Sequence, residues 1–142
     1  MPITNGRRTL AIIKPDAFAA GKAGQILAHL EKDGFALRAA RVLRLTPEQA
    51  QEFYAVHRER PFYGSLTAFM MSGPCMPVVL ERDDAVGALR QTIGATDPRE
   101  AAAGTVRKLF AESKERNAIH ASDSDENAIR EIGFFFAGAD LL

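Results

Sequence analysis

The chain is 142 residues long at 15.5 kDa, 46% hydrophobic and 25% charged, the proportions of one globular domain occupying residues 1–142. Eighteen Lys and Arg balance eighteen Asp and Glu for a net charge of +0. This excludes a protein drawn to nucleic acid or membrane by its overall field, so any bound anion must be held by locally placed cations.

The lone Cys75 can close no disulfide within the chain, no stretch approaches the roughly 20 apolar residues of a membrane span, and the N-terminal MPITNGRRTL lacks the apolar core of a signal peptide. A cytoplasmic location is expected. The apolar run Leu10-Ala11-Ile12-Ile13, stopped by Lys14-Pro15-Asp16, predicts a buried strand that leaves Lys14 at its end. Ala23, Ile26, Leu27 and Leu30 recur with the period of an amphipathic helix, predicted over 22–33, with Gly34 just past its end. Phe35, Leu37, Ala39, Leu43 and Leu45 share one parity against Arg38 and Arg44, predicting a half-exposed strand interrupted at Arg41.

Thr46-Pro47-Glu48-Gln49 reads as a helix start with a capping box, and Ala50, Phe53, Tyr54 and His57 continue its inner stripe, making His57 a packing residue. Leu66 to Met71 and Cys75 to Leu80 flank Ser72-Gly73-Pro74 and predict two strands joined by a tight turn, with Pro77 marking an edge position or a bulge. Val86, Leu89 and Ile93 predict a helix ending near Gly94, and Val106 with Phe110 a short one. Ala128, Ile129 and Ile132 predict a last helix capped from Ser122-Asp123-Ser124-Asp125, before a strand at Gly133 to Phe136. This order predicts an α/β (α+β) fold, a ferredoxin-like βαββαβ sandwich with a mostly antiparallel sheet covered by helices.

Several motifs fail on inspection. Gly21-Lys22 is no phosphate loop, because Asp16 and Ala23 stand where Gly and Ser or Thr are required. His29, His57, His120 and one Cys offer almost nothing to build a zinc site. Phe134 and Phe136 could stack bases on a sheet, but the chain lacks the basic surplus of an RNA platform, and a core strand is the better reading there. The densest polar segment is Asn117-Ala118-Ile119-His120-Ala121-Ser122-Asp123-Ser124, with Glu131 further along the adjoining helix. Viewed by itself His120 reads as a structural histidine, and its polar neighbours turn the reading toward chemistry. An imidazole titrating near about 6.5 is mostly neutral at pH 7, so it can act as a nucleophile without a separate strong base, and a carboxylate such as Glu131 could orient it.

The stretches Arg8-Thr-Leu-Ala-Ile-Ile-Lys-Pro-Asp16, Arg60-Pro-Phe-Tyr-Gly-Ser-Leu66, Ser72-Gly-Pro74, Gly94-Ala-Thr-Asp-Pro98, Gly104-Thr-Val-Arg107, the His120 segment and Glu131-Ile132 follow one another in order. Together they resemble the nucleoside diphosphate kinases over nearly the whole chain. That resemblance implies the same ferredoxin-like sandwich and a ping-pong transfer of the γ-phosphoryl group of an NTP to an NDP through a phosphohistidine at His120. It further implies that Lys14, Arg90, Arg107 and Asn117 contact phosphates or sugar, Thr96 a phosphate and Phe62 the base face. Tyr54 and Leu66 would support the cleft, and Ser122 and Glu131 would hold the histidine. Magnesium would ride mainly on the nucleotide phosphates with no dedicated protein ligands, and the chain would form a homo-oligomer, a tetramer or hexamer.

Ala121 stands where the family usually has Gly, so the backbone there must tolerate a Cβ. Two rival readings are a nucleotide-binding or RNA-binding module without turnover and a phosphohydrolase that uses His120. A binding module would show no phosphoenzyme, and a hydrolase would discharge one to water.

Overall fold

In a computed structural model, which describes residues 6–142, a four-stranded antiparallel sheet runs in the order β2-β3-β1-β4. Its strands are β1 (Arg8–Ile13), β2 (Ala36–Ala40), β3 (Met76–Glu81) and β4 (Ile119–Ala121). Residues 1–5, half of the N-terminal segment read above, lie outside the described residues. The helices are α1 (Pro15–Ala19), α2 (Ala23–Lys32), α3 (Pro47–Phe53), α4 (Tyr63–Met70), α5 (Ala85–Ile93), α6 (Val106–Phe110) and α7 (Asp125–Phe135). With α2 between β1 and β2, and α5 between β3 and β4, the order is the expected βαββαβ.

Strand β1 is apolar on both faces because it is central, paired with β3 on one side and β4 on the other. Leu10 and Ile12 pack with Phe53, Tyr54, Met70, Ile132 and Phe135, on the side of α3, α4 and α7. Ala11 and Ile13 pack with Ile26, Leu30, Leu89 and Ile93 of α2 and α5 on the other. The period of two therefore assigns faces, and His120, directly opposite Ile12 in β4, falls on the α7 side.

Local signals match at several ends. Thr46 Oγ1 accepts from Gln49 N–H at 3.1 Å while Gln49 Oε1 accepts from Thr46 N–H at 2.9 Å, completing the capping box of α3. Ser124 caps α7, and Gly34 takes the left-handed conformation past α2.

The stretch Leu66 to Met71 is not a strand: through Met70 it lies in α4, where Leu66, Phe69 and Met70 share one helical face, and Ser72-Gly73-Pro74 links helix to strand. Gly133 to Phe136 is not a strand either. Gly133 to Phe135 is the last turn of α7, and Ile132, Phe135 and Phe136 carry its inner stripe into the core. In both places a short apolar run fits either period, and the flanking elements decide.

The single parity expected from Phe35 to Leu45 also breaks. A bulge between Leu37 and Ala39 sets them opposite the consecutive residues Leu80 and Val79, so Phe35 joins one core and Ala39, Leu43 and Leu45 the other. Pro77 sits in the interior strand β3 rather than at an edge. Its carbonyl accepts from Arg41 N–H, so its nitrogen faces the side where β2 has already ended, and pairing with β1 runs through it unbroken.

Candidate active site

The sequence placed the nucleophile candidate before a capped helix; the fold places it in a short strand. His120 is the middle residue of β4, and α7, the next element, brings Glu131 to the ring. His120 Nε2 and Glu131 Oε1 are 2.8 Å apart, and Ser122 Oγ donates to the same oxygen at 2.7 Å. Burial pushes the Glu131 carboxyl upward, but the hydrogen bond and charge of His120 and the bond from Ser122 outweigh it and hold the group below its ordinary range. An ionised Glu131 accepts only, so Nε2 carries the imidazole proton and Nδ1 keeps the free lone pair. Phe53 and Tyr54 meet the ring edge-on at centroid distances of 5.3 and 6.1 Å, fixing its plane.

A cleft of about 450 Å³ opens over His120. Lys14, Tyr54, Phe62, Leu66, Arg90, Thr96, Arg107, Asn117 and Glu131 all line it with His120. Ser122 alone of the expected set stays behind the wall, fully buried against Glu131. An adjoining 360 Å³ cavity shares Lys14, Phe62, Leu66, Thr96 and Asn117, and adds Lys114 and Glu115 from the loop before β4.

Each cation reaches the cleft from a different element: Lys14 from the end of β1, Arg90 from α5, Arg107 from α6. Lys14 Nζ donates to Asn117 Oδ1 at 2.8 Å, and Arg107 is braced on the Gly94 and Ile119 carbonyls at 3.0 and 2.7 Å. Both cations are 7% exposed, and among the described residues neither forms an ion pair, while Arg107 Nε has no partner. Buried uncompensated positive charge is costly unless an anion arrives.

Burial and the neighbouring Arg107 charge lower Lys14 to about 8, against Asp16 and Glu115, which favour its charge. Burial and Arg90 lower Arg107 to about 10. The unfolded chain holds the Lys14 proton up to its ordinary 10.5, so burying the ammonium costs stability below about pH 8, and that cost fades between about 8 and 10.5.

Phe62, the residue just before α4, is 45% exposed at the mouth. His57 departs from the expected inner stripe. The α3 helix stops at Phe53, and His57 stands in a short 3-10 turn, at the cleft, against Phe62 at 5.4 Å between centroids. Ala121 needs no glycine, since it lies within β4 opposite Ala11 and outside the positive-φ region.

The sequence reading missed Asp123, Asn127 and Arg130, which line the cleft from the start and inner face of α7. Their signal was the i, i+4 spacing of Asn127 from Glu131 and of Asp123 from Asn127, now joined by a 2.6 Å hydrogen bond. Among the described residues no group of three or more His, Cys, Asp and Glu side chains is placed to hold a metal ion, and no helix is long and apolar enough to cross a membrane.

A ferredoxin-like sandwich with an oriented imidazole beneath a cationic cleft defines a class of phosphotransferase. The family model described as nucleoside diphosphate kinase matches residues 7–141. A nucleoside diphosphate kinase of Chlorobium luteolum is 56% identical over 135 residues, covering 95% of this chain and 96% of its own, and one of Halorhodospira halophila is 55% identical over 134 residues, covering 94% and 95%. A crystal structure of the Aquifex aeolicus nucleoside diphosphate kinase superposes with a TM-score of 0.93 at 48% identity, covering 96% of this chain and 99% of that one. The chain belongs to the nucleoside diphosphate kinase family, phosphotransferases that move the γ-phosphoryl group of a nucleoside triphosphate to a nucleoside diphosphate.

Proposed function

We propose that His120 is the residue phosphorylated in a ping-pong cycle, and that the whole chain acts as one catalytic domain. The observation that carries this reading is the pair of buried cations, Lys14 and Arg107, which form no ion pair among the described residues and share a cleft with an imidazole whose Nε2 is tied to Glu131.

The Nδ1 lone pair attacks the γ-phosphorus, the bond to the β,γ-bridging oxygen breaks, and the NDP leaves with that electron pair. A second NDP then binds in the same cleft, a terminal β-phosphate oxygen attacks the phosphohistidine, and the P–N bond breaks. Glu131 keeps the proton on Nε2 and stabilises the positive charge that the ring gains as Nδ1 bonds to phosphorus. Lys14, Arg90 and Arg107 offset the charge on the phosphoryl oxygens, with Thr96 and Asn117 placing phosphates and sugar. Phe62 stacks on the base and accepts any base, because each presents a π face.

Magnesium, carried mainly by the nucleotide phosphates, would supply charge neutralisation there, which suits a cleft where Lys14, Arg90, Arg107 and Arg130 outnumber Asp123 and Glu131. A cytoplasmic location fits an enzyme that acts on nucleoside di- and triphosphates. Exposed Leu37 and Val42, on and just beyond the edge strand β2, leave apolar surface that a homo-oligomer, a tetramer or hexamer, would cover, and light scattering measures the number of subunits.

With γ-labelled ATP the protein is expected to take up an acid-labile, base-stable label that maps to His120 and is released on adding an NDP. Label elsewhere overturns the reading, and rapid loss to water without an NDP favours a phosphohydrolase.

In the free enzyme Lys14 loses its charge as pH rises through about 8. The kcat/KM for nucleotide is therefore expected to fall over that range, and the fall to be absent from Lys14→Met, whose value is low throughout. A wild-type profile level across the range would contradict the role of Lys14.

A further inference from the structure

The residue before β4 adopts a backbone that its chemistry disfavours. Ala118 has a φ of 75°, and Ile119 N–H donates to Asn117 O at 2.9 Å across it, closing a three-residue turn in its strained, positive-φ form. A non-glycine residue keeps such a conformation only where its surroundings over-determine it. Here the clamp comes from the segment after β1, some hundred residues away in sequence. Lys14 N–H donates to Ala118 O at 2.9 Å, and Ala118 N–H donates to Asp16 Oδ2 at 3.1 Å. Asp16 lines none of the cleft; it belongs to a separate cavity of about 170 Å³, shared with Phe69 and Arg116. Its second oxygen, Oδ1, is buried without a partner, so the hydrogen bond to Ala118 is the polar contact its side chain makes among the described residues.

We propose that Asp16 is a positioning residue for phosphoryl transfer, its carboxylate gripping Ala118 N–H from outside the cleft so that the strained turn sets Asn117 and His120 against the bound phosphates. The inference rests on the role given to His120 above. Released from Asp16, the turn relaxes toward ordinary φ, and Asn117 Oδ1 and the start of β4 shift together because Ala118 alone separates them. The same carboxylate acts on Lys14. The charges facing that ammonium are Arg107 of α6, which opposes it, and Asp16 of α1 with Glu115 of the loop before β4, which favour it. Losing the Asp16 charge therefore lowers the pH at which Lys14 deprotonates.

Two substitutions separate the effects. Asp16→Ala removes both acceptor and charge, and is expected to lower kcat about ten- to a hundredfold with a smaller change in KM. Asp16→Asn keeps an acceptor oxygen for Ala118 N–H, and is expected to recover most of kcat at pH 7 while its kcat/KM falls at lower pH than the wild type. A wild-type kcat in Asp16→Ala overturns the proposal, as does an Asp16→Asn protein that is equally slow with an unmoved pH profile. Should Asp16→Ala fail to fold, Asp16→Leu, which fills the space without an acceptor, decides: a kcat lowered in Asp16→Leu and largely recovered in Asp16→Asn supports the assignment, and a wild-type kcat in Asp16→Leu overturns it. A wild-type protein that takes no label on His120 would defeat the underlying reading instead.

Discussion

Alanine at position 120 is expected to abolish phosphoryl transfer, by at least about 10⁴-fold in kcat, while nucleotide still binds. The change removes the lone pair that attacks phosphorus and leaves Lys14, Arg90 and Arg107 facing the same cleft. The fold should survive, because the ring is partly exposed and its one strong partner, Glu131, retains the bond from Ser122. Steady-state turnover with several NDP acceptors measures the first effect, and calorimetric titration with a nucleotide the second. Full phosphotransfer by His120→Ala would sink the mechanism; lost binding with an intact fold would show that the ring also holds the phosphates.

The largest expected loss of stability comes from Gly94→Ala. Gly94 ends α5 at φ 89° and ψ −178°, a region essentially reserved for glycine. A Cβ there would stand 2.6 Å from Thr105 Oγ1 and 2.7 Å from Thr105 Cβ. Thr105 cannot simply turn away, since its hydroxyl caps α6 and donates to Ala102 O at 2.8 Å. Backbone strain and overpacking together should cost about 2–5 kcal/mol, or roughly 6–15 °C in Tm for a chain of this size. Gly94 O is also one of the two braces of Arg107, so KM for nucleotide should rise in whatever folds. Gly104→Ala is the control. Its φ is similarly positive at 85°, but a Cβ there meets nothing within 4 Å, so only the conformational part, about 1–2 kcal/mol, should appear. Equal losses at the two positions would show that the contact with Thr105 carries no weight.

Legibility followed the range of the interactions involved. Capping at Thr46 and Ser124, the left-handed Gly34, and the stripes of α2 and α5 depend on residues within a few positions of one another. Each was readable. The stretches 66–71 and 133–136 were not, because runs of six and four mostly apolar residues satisfy either period and burial comes from partners elsewhere in the chain. Strand β4 escaped notice for the opposite reason. Three residues with a histidine at the centre carry almost no pattern, and pairing with β1 makes them a strand.

The site divides the same way. Nine of the eleven side chains expected to take part lie in the ordered motifs, with Tyr54 and Arg90 outside them, and ten of the eleven line the cleft. By itself the sequence determined the candidates: one imidazole proposed to react, a carboxylate proposed to orient it, and a balanced total charge that required any phosphate-binding cations to be gathered locally. Only the tertiary structure decided which nitrogen of the ring faces Glu131, that Lys14 and Arg107 are buried with no ion pair among the described residues, and that Asp16 accepts from Ala118 N–H in the turn before β4. Those properties arise between residues such as Lys14 and Asn117, 103 positions apart, where hydrogen-bond geometry and burial exist only once the sheet has brought the segments together.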